Sequence, residues 1–158
     1  MANTQSMTTS FMGELMTATH NFGVAPIRSV STVDSFKAAL YLTTATVNAS
    51  TTAYSASNEV SGAGYTAGGV AVTMGTVPTA TNSSATAGVA FVTPSASITY
   101  TTVTLATAFD AVLLYNSTQS NKAVSVHTFG SQTVTAGTFT LTMPANTTTT
   151  ALIRLATT

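Results

Sequence analysis

The feature that most constrains this chain is a series of short runs in which apolar or β-branched residues alternate with polar ones. They are cut apart by residues that a strand interior does not accommodate. The runs are Val70–Met74, Gly88–Thr93, Ser97–Leu105, Ala111–Asn116, Ala123–Phe129, Thr138–Met143 and Ala151–Leu155. The separators are Pro78, Pro94, Asn116–Asn121, Gly130-Ser131, Ala136-Gly137 and Pro144–Asn146. An earlier run, Ser35–Thr43, puts Phe36, Ala38, Leu40 and Leu42 on one face and Lys37, Tyr41 and Thr43 on the other. Abundant threonine favours extended backbone through its branched Cβ. The pattern predicts an all-β fold: a single antiparallel β-sandwich or jelly-roll-like barrel of about seven to nine strands.

Ahead of these runs the pattern differs. Residues 1–9 carry no periodicity and predict a flexible or partner-ordered arm. Phe11, Met12, Leu15, Met16 and Phe22 then recur at helical spacings. Ser10 can cap and Glu14 falls in the first turn, so a short amphipathic helix is expected over 11–20. Between the first strand and Val70 lies a turn-rich excursion, Glu59–Gly69, with Gly62, Gly64, Gly68 and Gly69 available for positive-φ turns. At 158 residues one domain is expected, covering 10–158.

Charge excludes several classes of function. Only 5% of residues are charged, against roughly 25% in an average domain. The cations Arg28, Lys37, Lys122 and Arg154 are scattered singly, so neither nucleic-acid binding nor a polybasic membrane anchor is expected. No apolar run reaches the length of a membrane span. Met1–Gln5 lack the basic start and apolar stretch of a secretory signal, which predicts synthesis in a cytoplasm. With no cysteine there is no disulfide, thiolate metal site or cysteine nucleophile. Zero net charge is unusual for a small domain that stays dispersed, and predicts a surface that touches protein.

Chemistry-bearing motifs are few. His20, His127, Asp34 and Asp110 with the many serines formally allow a Ser-His-Asp set, but no Gly-x-Ser-x-Gly elbow occurs, and His127 reads as an ordinary strand histidine. Glu14, Asp34, Glu59 and Asp110 are mutually distant in sequence, so nothing selects a carboxylate pair. The Gly62–Gly69 segment lacks the Gly-Lys-Ser/Thr ending of a phosphate loop. No catalytic, cofactor-binding or metal site is expected. The features left over suit assembly: Phe11, Met12, Leu15, Met16 and Phe22 form an apolar stripe that either covers one end of its own sandwich or packs on a neighbouring subunit.

Three stretches carry a family resemblance. They are Asp34–Tyr41, then Thr52–Tyr54 with Asn58–Gly69, and later Ala111–Asn116 with Phe129-Gly130 and Ala136–Phe139. In these the chain resembles small virion structural proteins of tailed bacteriophages and prophages, of the capsid decoration or cement type. The resemblance implies a non-enzymatic component of the particle, made in the bacterial host cytoplasm. It would be a homo-oligomer bound to the major capsid protein or to other virion proteins. A neck, tail or fibre-attachment role is the nearest alternative, followed by a glycan-binding surface module using Tyr41, Tyr54, Tyr65, Tyr100 and Tyr115.

Overall fold

The computed structural model describes residues 3–16, 19–20, 22, 33–74, 78–81 and 88–156. Among them the elements are β1 (Ser6–Met7), α1 (Thr9–Met16), β2 (Phe36–Leu42), β3 (Val70–Val72), β4 (Thr79–Thr81), β5 (Val89–Val92), β6 (Ile98–Asn116), β7 (Lys122–Leu141) and β8 (Ile153–Ala156). They form two antiparallel sheets, a five-stranded one in the order β1-β7-β6-β2-β3 and a three-stranded one in the order β4-β5-β8. The fold is all-β and sandwich-like in character. The sheets do not close on themselves, so the barrel alternative is set aside.

Two long strands stand where four short ones were expected. β6 and β7 run 19 and 20 residues and pair from Ile98↔Leu141 to Asn116↔Lys122. The supposed turns Gly130-Ser131 and Ala136-Gly137 lie inside β7. Ala136 does adopt positive φ, at 45°, as does Thr102 on β6 at 53°, and the register slips beside both. A residue with positive φ serves a β-bulge as well as a turn, and alternation alone does not separate the two uses. The turn at 117–121 is real: Ser120 and Asn121 take φ of 53° and 58° and link β6 to β7.

Both faces of the large sheet are buried around β2. Phe36, Ala38 and Leu40 of β2, Val112 and Leu114 of β6 and Val124 of β7 enter one apolar cluster. Val92 of β5 and Ile153 of β8 join that cluster, so both sheets contribute to it. Ala39, Tyr41, Ala111, Leu113, Tyr115 and Val126 belong to a second cluster on the opposite face, with Ala45 and Val47 from the loop after β2. Tyr41, expected on the polar face, is therefore buried. The excursion between β2 and β3 supplies a cover that strand periodicity does not reveal.

The N-terminal segment also differs from expectation. Residues 3–8 are not a free arm but lie on the large sheet. Ser6 and Met7 pair with Val126 and Ser125, and the Thr8 amide donates to Val124 O at 3.1 Å. Asn3 donates to Leu42 O at 3.1 Å and Asp110 Oδ1 at 2.5 Å, and accepts from the Val47 amide at 3.0 Å. The expected helix over 11–20 is not borne out as drawn: the helix is about two turns at Thr9–Met16, which leaves His20 outside it. Ser10 lies within that helix rather than capping it, and its buried hydroxyl has no hydrogen-bond partner. Glu14 falls past the first turn, and its carboxylate is used by Lys122 and His20 instead of the helix dipole.

Candidate functional site

Glu59 sits at the centre of the most organised polar region. Its carboxylate accepts from Tyr54 OH at 2.6 Å, Tyr65 OH at 2.6 Å and the Gly68 amide at 2.7 Å, and the residue is buried. Such charge-assisted bonds are individually stronger than neutral ones. The other tyrosines complete the layer: Tyr41 OH donates to Ser55 O at 2.5 Å, Tyr100 OH to Ala38 O at 2.9 Å and Tyr115 OH to Gly68 O at 2.8 Å. Tyr65 OH also accepts from the Leu40 amide at 3.0 Å. Tyr54 stacks on Tyr115 with centroids 4.8 Å apart, and Tyr65 on Tyr100 at 5.9 Å. All five tyrosine hydroxyls of the chain are thus committed internally.

Electrostatics follow from this packing. Burial pushes the Tyr41 phenol up to about 12, and the Glu59 charge adds to the rise. Burial likewise raises Tyr54, Tyr65, Tyr100 and Tyr115, with the neighbouring Glu59 carboxylate contributing at each. The glycines of the same excursion are fixed by close approach. A Cβ on Gly62 would stand 2.0 Å from Thr104 O, and one on Gly69 1.6 Å from Ala38 O, where φ is also +72°. The Asn58–Gly69 string is thereby a clamp that lays a loop against β2 and β6.

A second polar chain joins the N-terminal segment to the β6–β7 turn. Lys122 Nζ donates to Glu14 Oε1 at 2.5 Å, and His20 Nε2 lies 2.7 Å from Glu14 Oε2. The Asn116 amide nitrogen lies 3.1 Å from His20 Nδ1 and donates to Asp34 Oδ2 at 2.8 Å. Asn116 Oδ1 accepts from the Thr118 and Gln119 amides, both at 3.1 Å. Burial raises the Glu14 carboxyl, but the hydrogen bonds and charges of Lys122 and His20 outweigh it and hold the group below its ordinary range. The bonds that tie Glu14 to Lys122, His20 to Asn116 and Asn116 to Asp34 join residues 82 to 108 positions apart, so no local spacing announced the network.

Among the described residues a serine meets a histidine at Ser125 Oγ and His127 Nε2, 2.8 Å apart on β7. The spacing i, i+2 on a strand was the available signal for it. His127 lines an apolar cavity of 110 Å³ with Ile98, Val112, Leu114, Leu141 and Leu152. Burial lowers the imidazole to about 4, well below the near-neutral value that suits a general base at pH 7. The four carboxylates are engaged elsewhere: Glu14 and Glu59 as described, Asp34 with Asn116 and Gln119, and Asp110 with Asn3. Among the described residues, no three His, Asp or Glu gather to hold a metal ion.

The expected assembly residues are placed differently from one another. Phe11 and Phe22 are buried in the main core, with ring centroids 5.7 Å apart, and Phe22 stacks on Phe36 at 4.6 Å. They pack on the chain's own sheet. Leu15 packs half-buried against the same core. The side chains of Met12 and Met16 lie outside the described residues. Comparison of the chain with protein-family models, with curated proteins and with solved structures finds no match. Among the described residues no helix is long and apolar enough to cross a membrane.

Proposed function

We propose that this chain is a non-enzymatic structural protein of a bacteriophage particle, one that decorates and stabilises the outer capsid lattice. The observation that carries the reading is the allocation of reactive groups. Every carboxylate and every tyrosine hydroxyl is engaged within the fold, so the titratable groups that chemistry would need are used for construction. What remains outside is a nearly chargeless surface of Thr, Ser and Ala, which suits repeated contacts on a lattice where many weak attachments add by effective concentration.

The glycan-binding alternative draws less support. Tyr41, Tyr100 and Tyr115 are buried, and the hydroxyls of Tyr54 and Tyr65 are held by Glu59, so no tyrosine offers both a bare face and a free hydroxyl. A neck, tail or fibre position remains the alternative within the particle. Copy number discriminates: quantitative mass spectrometry of purified particles should find this chain in hundreds of copies, in fixed ratio to the major capsid protein. A few copies per particle would favour the neck or tail, and absence from particles would overturn the proposal.

A further inference from the structure

The β6–β7 ribbon has two outer edges, and they are treated differently. Along β6, β2 pairs as far as Phe109, and beyond it the Gly62–Gly64 backbone closes on Thr102 and Thr104, with the Thr104 amide donating to Ala63 O at 2.8 Å. Along β7, β1 covers Ser125 and Val126, and Thr8 reaches Val124. From His127 to Leu141 no described strand pairs with the outer edge of β7. Unpaired main-chain donors and acceptors on such an edge are a template for another strand.

Natural sheets blunt exposed edges with lysine, proline, inward charge or bulges. Here no charged residue occurs between Lys122 and Arg154, and no proline occurs within β7. The device present is a series of register irregularities, and the one at Ala136, with φ of 45°, separates the run Gly137–Leu141 from the rest. In that run Phe139 and Leu141 pair regularly with Tyr100 and Ile98, while Thr138 and Thr140 are exposed. A short, regular, neutral strand edge is therefore presented past the bulge.

We infer that Gly137–Leu141 pairs antiparallel with the same segment of a second copy of this chain, across a two-fold axis. The occupant follows from charge and symmetry. In an isologous contact residue i of one copy meets residue j of the other and j meets i, so a lone charge on this short edge would be carried to within a few residues of its own symmetry mate. An edge emptied of charge is the one that tolerates its own copy, and a chain of zero net charge adds no long-range repulsion between copies. The inference does not rest on the capsid reading, because the pairing is a property of the isolated chain in solution.

Sedimentation velocity of the full chain across a wide concentration range tests it. The wild type should reach a dimer. The variant T138K/T140K, with both changes at exposed side chains, should dissociate at least about tenfold more readily while melting as the wild type does. A wild type that stays monomeric overturns the inference, as does a doubly substituted chain that dimerises equally well. Should the lysine variant fail to fold, T138C/T140C takes its place. The natural chain has no cysteine, so mild oxidation should give a covalent dimer, and only monomer would contradict the pairing.

Discussion

The two halves of the β6–β7 hairpin are built from similar Thr-, Val- and Ala-rich sequence yet do opposite things. Near the turn, residues 109–116 and 122–128 lie between β2 and β1 and pack on both faces, and Asn116 is wholly buried with its amide satisfied on every side. Toward the open end, bulges interrupt the register, and Thr99, Thr101, Thr133, Thr135, Thr138 and Thr140 are exposed. Alternation supplies a strand in both halves. Whether that strand becomes core or surface depends on what flanks it, and here the flanking pieces are an N-terminal segment and a glycine-rich loop held by one carboxylate.

The comparison breaks most severely at Glu59. E59A would strand the hydroxyls of Tyr54 and Tyr65 and free the loop that covers β2, with a cost of about 3 to 5 kcal/mol by chemical denaturation. E59Q, able to keep some of these bonds, should lose less. G69A comes next: the added methyl meets Ala38 O in a backbone conformation that alanine resists, for a loss of about 2 to 3 kcal/mol. A G69A chain of unchanged stability would show that the loop is not seated as described.

Titration sharpens the same contrast. The tyrosines keep their protons in the folded state beyond the unfolded value near 10, as Tyr41 does to about 12. The unfolded chain then loses protons first as pH rises. Stability should be complete below about pH 10 and fall above it, followed by denaturation curves and phenolate absorbance together. On the acid side His127 stays neutral to about 4 while its unfolded counterpart protonates near 6.5, so its contribution is full above that value and fades as pH falls toward 4. H127Q should flatten that slope. The smallest effect belongs to the open end: T133K should change stability by no more than about 0.5 kcal/mol.

Much of this fold was legible in the sequence, for a definite reason. Period-two alternation marked β2, β3 and both ends of β6 and β7, and the glycine spacing marked the excursion from Glu59. Alternation could not show that Gly130 and Ala136 bend one strand instead of ending it, since bulge and turn draw on the same residues. Nor could it show Tyr41 going inward, because the cover over that face comes from residues around Ala45 and Val47. The Glu14–His20–Asn116–Asp34 chain was invisible for another reason. Its members are polar residues of unremarkable spacing whose meaning lies only in the tertiary contact.

Hydrogen exchange read residue by residue, in dilute and in concentrated solution, tests the central contrast most directly. Amides of 122–126 should be protected equally at both concentrations, whereas part of those in 137–141 should exchange quickly when dilute and slow markedly when concentrated, as a second strand covers the edge. Uniform protection along all of β7, indifferent to concentration, would contradict the account.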